Sequence, residues 1–104
     1  MSGFDERKGA AMKKFELDAE QEFKAGARRN KLLGLWAAPL IGHKDADAYA
    51  KEVIKSDFEE AGDMDVFRKV KADLDKAGAS ITDVDLRTKM DALMEEARVQ
   101  IAEG

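Results

Sequence analysis

Apolar residues return at every third or fourth position along most of this chain, and no stretch alternates apolar and polar residues for long. This spacing matches the 3.6-residue turn of an α-helix, whereas a half-buried strand needs a period of two. Glycines, one proline and helix-capping residues divide the pattern into four segments. We therefore predict an all-α fold: a four-helix bundle-like domain with a long first helix whose N-terminal part can act as a mobile arm.

The first helical segment is predicted over residues 4–38. Pro39 and Gly42 should end it, because proline disfavours helix at the residue before it. Gly26 and Gly34 lie inside the segment, where each costs up to about 1 kcal/mol relative to alanine. The first helix is therefore long and contains a possible joint.

The second helix is predicted over residues 46–61, with Asp45 as its cap and Gly62 as its left-handed stop. Asp63 can cap a third helix that ends at Gly78. Its apolar positions follow the helical period: Met64, Phe67, Val70, Leu74 and Ala77. The second and third helices should form a tight hairpin.

The fourth helix has the clearest start. Thr82 is placed to cap it, with Asp85 three residues later, and Ile81 and Leu86 occupy the positions of a hydrophobic staple. We predict this helix over residues 83–102.

Composition limits the possible functions. The chain has 104 residues and a net charge of -4, with no cysteine and one histidine, His43. One domain is expected at this length, nucleic-acid binding is disfavoured by the acidic charge, and thiol chemistry and zinc binding lack ligands. No apolar run approaches the roughly 20 residues that span a bilayer. We expect a cytoplasmic protein with no catalytic residue, no metal, no cofactor and no membrane insertion.

Residues 32–41, LLGLWAAPLI, are the most apolar part of the chain. We predict that this stretch forms the centre of the core, with the Trp36 ring buried. Met64, Met90 and Met94 are expected to fill gaps in the same core.

A basic cluster, Arg28, Arg29 and Lys31, comes just before this stretch. These side chains are candidates for contact with a phosphate or with a partner, because arginine presents a planar set of donors. The favoured interpretation is a solvated face paired with acidic residues such as Glu20 and Glu22.

The N-terminal segment carries a narrow apolar line formed by Phe4, Ala11, Met12, Phe15 and Ala19, with charged residues on either side. Amphipathic helices of this kind commonly insert into a groove on another protein. The segment can also fold back to complete the bundle, and the sequence leaves these two interpretations open.

The string FDERKGAAMKKFELDAEQEFKAGARRNKLLGLWAA, followed by DADAYAKEVIKSDFEEAG and ITDVDLRTKM, resembles the zeta-type inhibitor subunit of alphaproteobacterial rotary ATP synthases. The resemblance covers essentially the whole chain, and EFKAGARRNKLLGLWAA (residues 22–38) is its most specific part. It implies an all-helical protein that binds the catalytic sector, formed by the alpha, beta and gamma subunits. Such a protein lies at the periphery of the inner membrane when bound.

By the same resemblance, residues 1–19 form the inhibitory segment and residues 20–104 the helical anchor domain. The segment is expected to enter a catalytic interface and block ATP hydrolysis and reverse rotation. The implied partner-binding residues are Phe4, Arg7, Lys8, Met12, Lys13, Lys14, Phe15 and Ala19. The alternative is a small nucleotide-binding or assembly-regulating helical protein.

Overall fold

The computed structural model describes residues 17–57 and 62–104. Four α-helices occupy most of these ranges, and no strand occurs in them: α1 (Ala19–Leu40), α2 (Ala46–Ser56), α3 (Met64–Ala77) and α4 (Asp83–Glu103). The prediction of an all-α bundle is confirmed.

Helix α1 begins at a capping box. The Asp18 carboxylate accepts from the backbone N–H of Gln21 at 2.8 Å. In return, the backbone N–H of Asp18 donates to the side-chain oxygen Oε1 of Gln21 at 3.1 Å. Asp18 itself has extended backbone, with ψ of 178°. The prediction of one uninterrupted helix over residues 4–38 is therefore wrong at residue 18, because these bonds satisfy the amides of a helix N-terminus. The predicted part over residues 4–16 lies outside the described residues.

The end of α1 is also displaced from the prediction. The helix continues through Pro39 to Leu40, and Gly42 follows in the left-handed region at φ +72°. The Ile41 amide donates to Ala37 O at 3.1 Å, and the His43 amide donates to Ala38 O at 2.9 Å. These bonds close the last turn beyond the proline.

Helix α2 starts as predicted, with the Asp45 carboxylate accepting from the Ala48 amide at 3.0 Å. It ends at Ser56, five residues before the predicted end. Its C-cap, Asp57, accepts from Asn30 Nδ2 of α1 at 2.9 Å, a tertiary bond that the local sequence does not reveal. Gly62 has the predicted positive φ, +84°, but lies beyond the end of α2.

Helix α3 has Asp63 at its N-cap position, but the Asp63 side chain makes no capping bond. Its carboxylate instead accepts from Arg87 Nη1 of α4 at 2.8 Å. Gly78 ends the helix in the left-handed region, as predicted.

Thr82 starts α4 with the predicted capping box: the backbone N–H of Asp85 donates to Thr82 Oγ1, and Asp85 Oδ2 accepts from the backbone N–H of Thr82.

Helix α1 lies at the centre of the bundle and packs against each of the other three helices. The contact with α2 is especially close at Gly34, where an added Cβ would lie 2.5 Å from Ala50 Cα. The core cluster comprises Leu33, Ala37, Ala38, Tyr49, Val53, Val66, Val70, Leu74, Leu86, Met90 and Leu93.

Two predictions about this core are wrong. Trp36 is half-buried at the edge of the core, with Lys89 Nζ 5.5 Å from its ring centroid. Ala37 takes the inward position, and residue 36 lies about 100° away around the helix. Met64 is 45% exposed in the first turn of α3, whereas Met90 is fully buried as predicted.

Candidate functional site

The predicted inhibitory segment meets the bundle at the start of α1. Ala19, its last residue, is the first residue of α1 and is exposed. The other predicted partner-binding residues lie outside the described residues: Phe4, Arg7, Lys8, Met12, Lys13, Lys14 and Phe15. Their roles stay predictions.

The first turns of α1 are fixed to the last turns of α4. Arg98 Nε donates to Glu22 Oε2 at 3.2 Å, and Arg98 Nη1 donates to Glu95 Oε2 at 2.8 Å. The hydrogen bond to Glu22 raises the pKa of Arg98, although burial opposes it. Nearly two turns further along α1, Arg28 Nη1 donates to Gln100 Oε1 at 2.5 Å. The end of the bundle that follows the segment is therefore held by bonds between the first and last helices.

The structure does not bring Arg28, Arg29 and Lys31 together at one phosphate-sized site. Arg28 bonds to α4, Arg29 is only 6% exposed, and Lys31 is exposed. Helix geometry explains the separation, because neighbouring positions point about 100° apart. Of the three, Lys31 presents the most accessible cation.

Arg29 belongs to a buried polar network. Its Nε donates to Asn30 Oδ1 at 2.6 Å, and its Nη1 lies 3.6 Å from Asp63 Oδ2. Burial lowers the pKa of Arg29, while Asp63 and Asp57 favour its charge. Since Asn30 also bonds Asp57, this network joins α1 to the end of α2 and to the start of α3.

A second polar network lies around Tyr49. The Tyr49 hydroxyl donates to Asp73 Oδ2 at 2.8 Å, and Lys69 Nζ lies 3.0 Å from the same oxygen and 2.9 Å from Glu52 Oε1. Burial, reinforced by the bond to Asp73, strongly raises the pKa of Tyr49. Burial lowers the pKa of Lys69, but its bonds to Glu52 and Asp73 produce a net rise.

His43 is partly buried beside the Tyr49 network. Its Nδ1 accepts from the Asp45 amide at 3.1 Å, and its Nε2 lies 3.9 Å from Glu52 Oε2. Its ring centroid is 5.5 Å from that of Tyr49. These contacts hold the His43 side chain against α2 at the turn between α1 and α2.

Phe23 was not among the predicted site residues, yet 67% of it is exposed in the second turn of α1. The sequence did contain a signal for it, since Phe23 follows Ala19 by four residues and so extends the apolar line of the N-terminal segment.

Within residues 17–57 and 62–104, no group of three or more His, Cys, Asp or Glu side chains is arranged to hold a metal ion. None of the described helices is both long enough and apolar enough to cross a membrane.

Comparison with known proteins identifies the family. A protein-family model described as ATPase inhibitor subunit zeta matches residues 1–100. The chain belongs to this family. The resemblance seen in the sequence is thereby confirmed. Membership of the zeta family supports a regulatory role as an inhibitor of the ATP synthase, which implies binding to the synthase.

The fold of this zeta-family chain is also similar to a known structure. A structure determined by NMR in solution shares 49% sequence identity with it, with a TM-score of 0.68. The match covers 79% of this chain and 95% of the other. A comparison with curated protein sequences finds no significant match.

Proposed function

We propose that this protein inhibits ATP hydrolysis by the rotary ATP synthase by inserting residues 2–19 into a catalytic interface of the sector formed by the alpha, beta and gamma subunits. The observation that carries this proposal is the family match, which spans both the segment and the bundle. The bonds that hold the start of α1 to α4 support it, because they give the segment a firm base.

The physical basis of inhibition is stabilisation of one rotational state. A rotary hydrolase must open and close its catalytic interfaces in turn, so a helix bound in one interface stops the cycle. Affinity would come mainly from the apolar anchors Phe4, Met12 and Phe15. The basic residues Arg7 and Lys8, with Lys13 and Lys14, would orient the segment and raise the association rate at an acidic surface. No covalent bond changes in this protein.

In this proposal residues 20–104 are the anchor domain. The anchor would keep the segment at the catalytic sector, which places the working protein in the cytoplasm at the periphery of the inner membrane. Two parts of one chain that bind the same partner increase each other's effective concentration.

The test is an ATPase assay on the isolated catalytic sector of the cognate synthase. Phe15→Ala should weaken inhibition by about 2 kcal/mol, roughly 30-fold in the inhibition constant, and mainly through faster dissociation. Val84→Ala is the matched control, since Val84 is 74% exposed on α4 and far along the chain from the segment. Absence of inhibition by the wild-type protein at saturation would refute the proposal.

The alternative of a nucleotide-binding regulator needs converging cations, and the described residues do not provide them at positions 28, 29 and 31. Calorimetric titration with ATP and ADP checks it directly. An assembly factor would differ in another way: deleting residues 2–19 should leave its binding to the synthase intact, whereas an inhibitor loses its inhibition.

A further inference from the structure

A shallow groove follows the outer side of the contact between α1 and α2. Two adjoining recesses form it, and both are lined by Ile54 of α2. The smaller recess has a volume of about 160 Å³, and the larger about 430 Å³. We call this surface the α1–α2 groove; its lining includes Phe23, Gly26, Ala27, Lys31, Ala50, Lys51 and Ile54.

Phe23 stands at the end of the groove nearest the inhibitory segment. It is the one aromatic side chain among the strongly exposed large apolar residues of the described chain. Contact residues that dominate binding are usually aromatic or arginine side chains that become fully desolvated in the complex. Within α1, Phe23 lies one turn after Ala19, the last residue of the predicted inhibitory segment, so an exposed aromatic ring stands where the bundle begins.

Gly26, one turn after Phe23, leaves the smaller recess without a side chain at this position. A glycine inside a helix destabilises it relative to alanine. The fold does not require this glycine, because a Cβ added at residue 26 would meet no atom within 4 Å. Gly34 is the contrasting case, since its lack of a side chain is needed for the contact with Ala50. The space at Gly26 thus remains open on the outside of the bundle.

The dimensions and charges of the groove indicate the chemistry of its occupant. Residues 23–31 span about 12 Å at 1.5 Å per residue, the length of two turns of a partner helix. A cavity of about 150 Å³ accommodates a benzene ring, so the smaller recess fits one apolar side chain. At the other end Lys31 and Lys51 are exposed beside Asp47, so this end of the groove carries net positive charge, whereas Glu22 and Asp57 border the smaller recess.

We propose that the α1–α2 groove is a second docking surface for the catalytic sector of the ATP synthase. Its occupant is a helical surface segment that places one apolar side chain against Phe23 and Gly26, with a carboxylate facing Lys31 and Lys51. This inference rests on the proposed function and adds an anchor contact to it. The carboxylate would mainly increase the association rate.

The test uses the full-length protein and the isolated catalytic sector, with dissociation constants, ATPase inhibition and thermal melting measured on the same samples. Phe23→Ala should raise the dissociation constant about 10- to 30-fold. Gly26→Leu should raise it about 10-fold without lowering the melting temperature, because it fills the recess from the outside. Lys31→Glu should slow association. Val84→Ala, the exposed apolar control on α4, should match the wild type.

The outcomes separate the groove from the inhibitory segment. If Phe15→Ala weakens inhibition while Phe23→Ala and Gly26→Leu bind like the wild type, the groove proposal is overturned and the proposed function stands. If the protein binds without inhibiting, the proposed function fails, but loss of that binding in Phe23→Ala still supports the groove. If Phe23→Ala abolishes a homodimer in sedimentation velocity and leaves the dissociation constant unchanged, the occupant is a second copy and the proposal is overturned.

Discussion

The two glycines inside α1 should respond in opposite ways to the same substitution. Replacing glycine by alanine in a helix contributes about 1 kcal/mol of stability through propensity. At Gly26 nothing lies within 4 Å of the added Cβ, so Gly26→Ala should be more stable than the wild type by about 1 kcal/mol.

At Gly34 the added Cβ would lie 2.5 Å from Ala50 Cα and 3.1 Å from Ala50 N, both backbone atoms that a rotamer change cannot move. Overpacking costs typically 1 to 3 kcal/mol, and a clash with backbone belongs at the upper end. After subtracting the propensity gain, Gly34→Ala should lose about 2 kcal/mol.

The two variants should therefore differ by about 3 kcal/mol, or roughly 12 to 24 °C in melting temperature for a domain of this size. Urea and thermal denaturation followed by circular dichroism measure both quantities. A Gly34→Ala protein as stable as Gly26→Ala would show that α1 and α2 can separate at no cost, and would refute the account of their packing.

Three further predictions concern the bonds within the bundle. Thr82→Ala should lower the free energy of unfolding by about 1 kcal/mol in denaturant melts while leaving ATPase inhibition unchanged; a loss of inhibition at full stability would contradict this. Arg29→Met should lower the free energy of unfolding by roughly 1 to 3 kcal/mol, because it leaves the buried Asn30 Oδ1 without its donor, whereas the same change at Arg28 should cost less. The free energy of unfolding should fall as pH rises above about 10, because the pKa values of Tyr49 and Lys69 are raised in the folded state. Tyr49→Phe should make this fall less steep. A free energy of unfolding that does not change between about pH 9 and 11 in the wild type would be inconsistent with these shifts.

The features that the sequence predicted best are those decided within a few residues. Thr82 and Asp85 are three positions apart, and their reciprocal bonds need no other part of the chain. The box at Asp18 and Gln21 is equally local but was missed, because the apolar line runs through it and helical periodicity alone favours one continuous helix. Periodicity records which face is apolar and does not record where the backbone leaves the helix.

Tertiary contacts account for most of the remaining differences. The C-terminal end of α2 and the orientation of Asp63 involve bonds to Asn30 and Arg87, which lie 27 and 24 residues away in sequence. The burial of Arg29 likewise depends on helices that α1 meets only in the folded chain. The three basic residues at positions 28, 29 and 31 therefore look alike in the sequence but differ in burial in the fold. The family resemblance identified the inhibitor family, and the roles of the predicted partner-binding residues before Ala19 stay predictions.

The capping box at Asp18 adds an energetic cost to any complex that requires residues on both sides of it to lie in one helix. Such a complex must break the two capping bonds, which are worth about 1 kcal/mol, or roughly fivefold in the dissociation constant. Substitutions at Asp18 or Gln21 can therefore change how tightly the protein holds its target without touching the target at all. The affinity of such a complex can therefore be tuned at the capping box, independently of the residues that contact the target.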